Sequence, residues 1–350
     1  MSRRKLDLTF VVATKDRPDD LRKMFASLAG QSRAVSQVVI VDASAEPVEA
    51  VASEFPSLNV RYLRHLPPSA AKQRNAGVAV VDERIGLIGF LDDDAVLEPD
   101  AVEKMLDFWQ EAPTDLGGAS FNMLNPPMTG GRWLKRSRLC AAMGLYRRGS
   151  GRVAPSGWQT VTETVSETCF VDWLATGAVV WRRDVLKDFR LDDYFEGYSY
   201  LEDLDFSLSV GKRFKMAVVA DARYSHYPSP GGRTSSYAFG KVEARNRLYV
   251  VKKHGLSLWR CLLGLGIRMG MTLAAATRHA NGAAFHRACG NVVGVVQGFA
   301  SSGTPGREKT RCEGKTPSPP APLPRTGEGS CGPGPLPQAG EGPCVGPARP

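Results

Sequence analysis

The sequence predicts an α/β protein with a doubly wound, mostly parallel sheet. Short apolar runs without alternation recur through the first 121 residues, as expected for strands covered on both faces. Segments with apolar residues at i, i+3, i+4 and i+7 separate these runs and predict helices. Polar residues directly follow several runs, and ligands of such sheets bind beyond the carboxyl ends of the strands.

In chain order, the first strand is predicted at 6–13. A helix then begins at Pro18 and ends at Gly30, with an apolar stripe of Leu21, Met24, Phe25 and Leu28. The same alternation continues with strands at 38–41, 60–63 and 85–91 and with helices at 69–80 and from 99 onward.

Periodicity fades between 122 and 168, which we interpret as a loop-rich insertion that supplies acceptor groups. Regular structure is predicted to return as an apolar segment at 170–181, a helix at 202–210, a strand at 216–219 and a helix at 237–253. The Gly-Pro-Ser loop at 228–236 has the composition of a lid.

The stretch 256–277 is apolar, but Arg260 and Arg268 interrupt it, so we predict that it does not span a membrane. It either lies in a membrane surface or packs on the folded body. From 301 onward the chain holds twelve of the 24 prolines and ten of the 36 glycines, which predicts a disordered tail. Deletion of 305–350 should therefore leave the melting temperature unchanged.

Composition restricts the partners and the compartment. A net charge of +9 favours an anionic partner, such as a nucleotide diphosphate, a membrane surface or nucleic acid. The seven cysteines form no C-x-x-C pair, which argues against zinc and disulfides and favours a reducing cytoplasm. The basic N-terminus leads into a short run interrupted by Asp7, which is typical of a strand and not of a secretory signal.

Two acidic groups are candidates for chemistry. Three adjacent carboxylates at 92–94 repel one another unless a cation or solvent compensates, and Mg²⁺ or Mn²⁺ with oxygen ligands would do so. An acidic turn before a helix explains them as well. Residues Glu202, Asp203 and Asp205 begin a helix, where a carboxylate stays ionised and can act as a base, or simply caps the helix.

Six segments in a fixed order resemble the family 2 glycosyltransferases over residues 6 to about 254. They are Thr14-Lys-Asp-Arg-Pro18, Val41-Asp42-Ala-Ser44, Lys72-Gln-Arg74-Asn75-Ala-Gly77, Phe90-Leu-Asp-Asp-Asp94 with Pro99-Asp100, Thr176-Gly177-Ala178, and Glu202-Asp203-Leu-Asp205. The resemblance implies a GT-A fold, a nucleotide-diphosphate sugar donor, a carbohydrate or lipid-linked acceptor, and inversion at the anomeric carbon.

The resemblance also implies roles by position. Thr14 and Asp42 match nucleoside contacts, and Arg74 matches a diphosphate or base contact. Asp92 and Asp94 match the D-x-D pair that carries a metal, Mg²⁺ or Mn²⁺.

Further roles concern the ribose, the base and the leaving group. Asp93 is expected near the ribose, Asp203 as the general base and Glu202 beside it in the donor site. His226 matches a further metal ligand of some GT-A enzymes, and a structural histidine is the alternative. The cations that would neutralise the departing diphosphate are Arg233, Arg245 or Arg247.

The predicted organisation is a GT-A domain at 1–254, a helical segment at 255–300 and a tail at 301–350. Within the domain, 1–121 would bind the nucleotide and 122–254 would supply the acceptor and catalytic part. The Q-x-x-R-W motif of processive synthases is absent from the sequence. We therefore expect non-processive transfer in polysaccharide or glycolipid biosynthesis, in the cytoplasm or at the inner face of the membrane.

Two alternatives remain open. A nucleotidyltransferase would need a Gly-rich basic loop after the first strand, and the loop at 13–18 contains no glycine. A non-catalytic binding or scaffold protein would not need intact carboxylates at every expected position, and nucleotide-sugar hydrolysis would separate it from an enzyme. The basic cluster at 132–138 is too short to indicate a nucleic-acid partner.

Overall fold

The apolar runs near the start of the chain form the strands of one mixed sheet. The computed structural model describes residues 6–127, 137–229, 235–278 and 280–300. The strands are β1 (Leu8–Thr14), β2 (Gln37–Asp42), β3 (Val60–Arg64), β4 (Leu87–Leu91), β5 (Ala95–Leu97), β6 (Leu116–Met123), β7 (Cys169–Val171), β8 (Ala178–Arg182) and β9 (Lys215–His226).

Helices cover this sheet and continue beyond it. They are α1 (Pro18–Ala29), α2 (Glu49–Ser53), α3 (Ala70–Ala79), α4 (Ala101–Glu111), α5 (Arg138–Ala142), α6 (Arg183–Asp188), α7 (Glu202–Val210), α8 (Ser236–Lys253), α9 (Leu258–Arg278) and α10 (Gly282–Ala300).

The spatial order of the strands is β3-β2-β1-β4-β8-β6-β9-β5, and β7 pairs with β9. The first four are mutually parallel, and β6 and β9 are also parallel to each other. Strand β8 runs antiparallel between β4 and β6. The prediction of an α/β, mostly parallel sheet is thus confirmed.

The uninterrupted apolar runs reflect burial on both faces of the sheet. Phe10 and Val12 of β1 belong to one hydrophobic cluster, together with the buried stripe of α1. Val11, between them, belongs to a second cluster on the opposite face, with Val39 of β2 and Phe90 of β4. Successive side chains of a strand point to opposite faces, so both must be apolar here.

Two of the predicted elements have other bounds in the structure. The apolar segment at 170–181 is divided between two strands, β7 and β8, with Gly177 just before the second. The strand predicted at 216–219 extends to His226. Its second half alternates buried and exposed residues from Ala220 to Tyr224, because only one face is covered there.

The insertion and the C-terminal helices share a third hydrophobic cluster. Tyr146 and Trp158 from the insertion pack with Leu248 of α8 and with Cys261 and Leu265 of α9. The region read as loop-rich therefore contributes buried side chains as well as loops. The described part of the chain lies within one compact unit, Met1–Pro305.

Helices α8 and α10 approach each other unusually closely. A Cβ on Gly240 would lie 2.2 Å from the Arg287 carbonyl oxygen, and one on Gly290 would lie 2.1 Å from that of Tyr237. Larger residues would force the backbones apart at both positions. The glycines of the apolar C-terminal segment therefore hold α10 against the rest of the fold.

By length and composition, α9 is the one helix in the described ranges that could cross a membrane, with a mean hydropathy of 1.2. The sequence argument that two arginines rule out a span is thus not confirmed by these criteria. Its packing adds a separate fact, because Cys261 and Leu265 on one side of the helix are buried against the body.

Candidate active site

Polar side chains from several strand ends meet at one edge of the sheet. Strands β1 and β2 are in register with Thr14 opposite Asp42, and β4 lies on the other side of β1. The carboxylates of the β4–β5 turn therefore emerge at the same edge. This is the crevice in which an open α/β sheet binds ligands.

The three aspartates after β4 occupy different environments. Asp93 turns inward, accepts hydrogen bonds from Thr14 Oγ1 at 2.7 Å and Arg17 Nη1 at 3.1 Å, and is 3% exposed. Burial raises the pKa of Asp93 to about 6, although the Arg17 guanidinium opposes this rise. Asp92 is more accessible, with 29% of its side chain exposed.

Asp94 pairs with His226 from the end of β9. Its Oδ1 lies 2.8 Å from His226 Nε2, and the backbone pairing of β5 with β9 sets Ala95 opposite this histidine. Burial alone would raise the pKa of Asp94, but the hydrogen bond and charge of His226 lower it overall. The same pairing raises the pKa of His226 against the effect of its own burial.

Asp92, Asp94 and His226 form a candidate metal centre. Each offers one ligand atom, and these atoms lie within 4.8 Å of one another. A Cβ on Gly177 would lie 3.3 Å from Asp92 Oδ2, so the glycine leaves this carboxylate uncrowded. Two carboxylates and an imidazole form a donor set that suits Mn²⁺ and, through the oxygens, Mg²⁺.

Arg74 connects the two acidic segments of the sequence. From α3, its Nη2 donates to Asp92 Oδ1 at 2.8 Å and its Nη1 donates to Glu202 at the start of α7. Both Arg74 and Glu202 are buried, at 5% exposure each. Burial raises the pKa of Glu202, and the Arg74 guanidinium works against that rise.

The carboxylates at the start of α7 also have different hydrogen-bond partners. Asp205 is 1% exposed and accepts from Lys253 Nζ at 2.8 Å, while its other oxygen lies 2.7 Å from His254 Nε2. Asp203 is half-buried, and burial raises the pKa of Asp203 to about 6. Its described hydrogen bond comes from the backbone N–H of Leu204. Asp203 is therefore the carboxylate of α7 that has no side-chain cation among its described hydrogen-bond partners.

The start of α7 is held in an unusual backbone conformation. Leu201 has φ 73° and Ser199 has φ 52°, both in the left-handed region that non-glycine residues rarely adopt. Burial of Leu201 and a hydrogen bond from Asn246 Nδ2 to the Tyr200 carbonyl at 2.8 Å hold this turn. Such strain of order 1–3 kcal/mol persists where surrounding contacts over-determine it, here directly before Glu202.

Asp42, which was predicted to contact the nucleoside, is surrounded by donors of the protein itself. The Asp42 carboxylate is fully buried and accepts from Ser44 N at 2.7 Å, Val48 N, Tyr62 Oη and Arg64 Nη1. Burial alone would raise the pKa of Asp42, but these donors lower it. A contact between Asp42 and the base of the nucleotide stays a prediction.

The three arginines predicted to neutralise the diphosphate differ in their surroundings. Arg245 packs over the Tyr194 ring, with its guanidinium 5.5 Å from the ring centroid. Arg247 is 1% exposed, lies 3.7 Å over the Trp158 ring and donates to the Gly157 carbonyl, which explains it as a structural residue. Arg233, with most of the predicted lid, lies outside the described residues.

Sequence reasoning missed two residues of the site. Arg17 precedes α1 and lies within 3.5 Å of both Asp93 and Asp94. Gln73 is buried and donates from Nε2 to the carbonyls of Thr14 at 3.1 Å and Val41 at 2.7 Å, which joins the ends of β1 and β2. Both residues belong to segments that carry the family resemblance, at 14–18 and 72–77, but a sequence motif does not show which neighbour a side chain contacts.

A crevice at the strand ends of an α/β sheet, with two carboxylates and an imidazole close together, is an arrangement that could hold a cation and, through it, an anionic ligand. Residues 9–154 match the model of the family "Glycosyl transferase family 2". Over this segment the match confirms the resemblance to the family 2 glycosyltransferases seen in the sequence.

A relative matches part of the chain. The chain is 33% identical over 105 residues to the succinoglycan biosynthesis protein ExoO of Rhizobium meliloti (strain 1021). That match covers 29% of this chain and 29% of the relative.

Solved structures with a similar fold come from two further organisms. The mannosyltransferase PcManGT from Pyrobaculum calidifontis, in complex with GDP-Man and Mn²⁺, is 12% identical with a TM-score of 0.50, covering 84% of this chain and 88% of its own. S. aureus TarS 1-349 in complex with UDP-GlcNAc is 17% identical with a TM-score of 0.48, covering 73% and 69%. The likeness to PcManGT confirms the GT-A type of fold predicted from the resemblance.

Proposed function

We propose that the protein transfers a sugar, with inversion, from a nucleotide-diphosphate sugar to an acceptor hydroxyl in a metal-dependent reaction. The observation that carries this proposal is the convergence of Asp92, Asp94 and His226 within 4.8 Å at the strand ends. Arg74 joins this centre to the start of α7, where Asp203 lies. One continuous network thus contains the groups for donor binding and for proton removal.

In this proposal the two acidic segments have separate tasks. Asp92, Asp94 and His226 would hold Mg²⁺ or Mn²⁺, which supplies positive charge against the departing diphosphate. Asp203 would take the proton from the acceptor hydroxyl as it attacks the anomeric carbon. Its pKa of about 6 leaves it unprotonated at neutral pH and still basic enough to accept a proton.

The neighbouring residues of the network position these groups. Arg74 holds Asp92 and Glu202 in place, so Glu202 acts through Arg74 and is not a competing base. Thr14 and Arg17 hold Asp93 turned inward, and its contact with the ribose stays a proposal. Arg233 and Arg245 stay proposals for the donor phosphates.

The relatives suggest the setting of the reaction. PcManGT is crystallised with GDP-Man and Mn²⁺, which supports a nucleotide-diphosphate sugar and a divalent cation here. ExoO acts in succinoglycan biosynthesis, which supports a role in cell-surface polysaccharide or glycolipid assembly with a carbohydrate or lipid-linked acceptor.

The proposed location is the cytoplasm, with peripheral attachment to the inner face of the membrane. Residues 236–300 contain nine Lys or Arg and one acidic residue, Glu243, a balance that anionic membranes attract. High salt or carbonate should release the protein from isolated membranes. A requirement for detergent would contradict peripheral attachment.

The direct test is a thermal-shift panel of UDP-, GDP- and dTDP-sugars, each with and without Mn²⁺. One donor should raise the melting temperature only when Mn²⁺ is present, and the same donor should be slowly hydrolysed. No stabilisation by any nucleotide sugar would contradict the proposal. Stabilisation without hydrolysis or transfer would favour the non-catalytic binding protein.

A further inference from the structure

A second cavity lies at the opposite end of the fold from the acidic crevice. It has a volume of about 920 Å³ and is lined by the C-terminal part of α7, the start of β9 and the beginning of α9. Strand β9 begins at this cavity with Lys215 and ends at His226, so the two sites lie roughly 30 Å apart along the strand. The cavity is therefore separate from the proposed donor site.

The lining of this cavity is strongly basic. Five cationic side chains and one carboxylate contribute to it: Arg147, Arg152, Lys212, Lys215, Arg260 and Asp172. Asp172 is shared by two of the cations, at 3.3 Å from Arg147 and 3.0 Å from Arg152. Lys215 is also paired, with Asp115 outside the lining at 2.7 Å. The lining still carries more cations than these two carboxylates neutralise.

Two of these cations have capacity for a ligand. Lys212 is exposed, and no ion pair of its side chain occurs among the described residues. Arg260 Nε is buried without a hydrogen-bond partner in the same part of the chain. Its guanidinium lies 4.8 Å from the Trp259 ring centroid and makes no ion pair among the described residues, so Arg260 keeps hydrogen-bond donors for a ligand of the cavity that it lines. A phosphate oxygen is a suitable acceptor for both side chains.

The rim of the cavity continues into an apolar helix face. Arg260 belongs to the first turn of α9, and its neighbour Trp259 is 57% exposed. Further along the same side of α9, Leu263 and Leu273 are exposed at 37% and 39%. Only 17% of the apolar window of this helix is buried in the protein. A soluble anion in the cavity would leave this apolar face in water.

The opposite side of α9 is fixed to the body. Cys261 and Leu265 are buried, and the Arg268 guanidinium lies 4.4 Å from the Trp158 ring centroid. The helix therefore cannot be surrounded by lipid without losing this packing. It can lie in the plane of a membrane interface with its apolar face in the lipid and its basic end at the headgroups.

We propose that the basic cavity binds the headgroup phosphate of an anionic phospholipid while the exposed face of α9 inserts into the membrane interface. The excess of cations in the cavity and of basic over acidic residues in 236–300 supports this one occupant by charge complementarity. The inference extends the proposed peripheral location to a specific lipid site. It does not depend on the donor, the metal or the catalytic base.

The test is co-sedimentation of the full chain with vesicles at low salt, without donor or metal. Vesicles of phosphatidylcholine mixed with phosphatidylglycerol should bind the protein, and phosphatidylcholine alone should bind it far less. Lys212→Glu, which reverses an exposed charge, should lower the partition constant roughly tenfold or more. Lys104→Glu makes the same charge change outside the cavity on α4 and should have a much smaller effect.

Trp259→Ser and Arg260→Glu extend the test to the helix. Each should weaken binding to the mixed vesicles, with unchanged circular dichroism and unchanged donor-dependent thermal shift. Equal binding to both kinds of vesicle, or equal loss with Lys104→Glu, would overturn the headgroup site. Full competition by millimolar inorganic phosphate would assign the cavity to a soluble anion instead.

A second copy of the chain is the remaining occupant of the apolar face. Sedimentation analysis without vesicles should show a monomer that Trp259→Ser does not change. A dimer that Trp259→Ser dissociates would overturn the lipid assignment. Failure of sugar transfer would leave all these results unaffected, so the two proposals fail separately.

Discussion

The two acidic segments, 92–94 and 202–205, differ in the contacts of their carboxylates, although both are short runs rich in acidic residues in the sequence. In the β4–β5 turn, Asp93 is held inward by Thr14 and Arg17, and its neighbours Asp92 and Asp94 approach His226. In α7, Arg74 engages Glu202, and Lys253 with His254 engages Asp205. In the proposed function, the first segment thus provides two carboxylates for a cation, and the second provides Asp203 for proton transfer.

The difference follows from the elements that carry the carboxylates. A turn after a buried strand can direct neighbouring side chains to opposite sides, so one aspartate stabilises the turn while two converge. A helix start spreads its first residues around the axis, and each meets a different packing partner. Side chains with hydrogen-bond donors therefore engage Glu202 and Asp205, which are buried, while the half-buried Asp203 has no side-chain cation among its described hydrogen-bond partners.

The largest expected effect comes from Asp203→Asn, which keeps the shape of the side chain but cannot accept a proton. Turnover with the true acceptor should fall on the order of 10²- to 10⁴-fold, while donor affinity stays unchanged. Asp221→Asn, at an exposed position of β9, is the matched control and should keep full turnover. Near-normal turnover of Asp203→Asn would show that Asp203 is not the general base.

The pH dependence of turnover in the wild-type protein also tests whether Asp203 is the base. Asp203 has a raised pKa of about 6, so the base is available above this pH and is protonated below it. Turnover should therefore fall about tenfold per pH unit below this value, and a bound cation would move the limb to lower pH. An acidic limb that persists unchanged in Asp203→Asn would belong to another group.

Asp205→Asn should act on stability instead of chemistry. It removes the charge that pairs with Lys253 and His254 in a buried setting, at a cost of about 3 kcal/mol in the free energy of unfolding. Asp193→Asn, at an exposed ion pair with Arg190, should cost less than about 0.5 kcal/mol. Urea denaturation measures both.

Turnover of the folded fraction of Asp205→Asn should remain close to that of the wild type. A loss of turnover as large as that of Asp203→Asn, without loss of stability, would reverse the roles given to the two aspartates.

The smallest effect is expected for His226→Ala, which removes the imidazole from the candidate metal centre. Mn²⁺ affinity should fall roughly tenfold, and Mg²⁺ affinity should fall less, because imidazole suits transition metals better than Mg²⁺. His286→Ala on the exposed side of α10 is the control for removal of a histidine. Unchanged Mn²⁺ affinity in His226→Ala would make this histidine a structural partner of Asp94 only.

The sequence predicted the sheet well because burial on both faces leaves a local signature. The runs at 10–13, 38–41 and 87–91 are without a polar side chain, and each is followed directly by a polar residue, Thr14, Asp42 or Asp92. The second half of β9 gave no such signal, since its residues alternate between the core and solvent. The end of the strand at His226 was therefore missed, although the histidine itself was suspected from the resemblance.

The partners of the site residues could not be predicted for a different reason. Arg74 and Glu202 are 128 residues apart, and Lys253 and Asp205 are 48 apart, so their pairing depends on how helices pack on the sheet. From their position at a helix start, Glu202, Asp203 and Asp205 are equivalent acids, and only the resemblance singled out Asp203. The tertiary contacts show that Glu202 and Asp205 are paired with Arg74 and Lys253.

The central claim is that one acidic segment holds the cation that binds the donor, and the other does not. Calorimetric titration of the donor nucleotide, with and without Mn²⁺, tests it on the wild type, Asp94→Ala and Asp203→Asn. The wild type and Asp203→Asn should bind the nucleotide with similar, Mn²⁺-dependent affinity. Asp94→Ala should lose affinity on the order of 10²-fold and become insensitive to Mn²⁺. Mn²⁺-dependent binding of normal strength in Asp94→Ala would contradict the account.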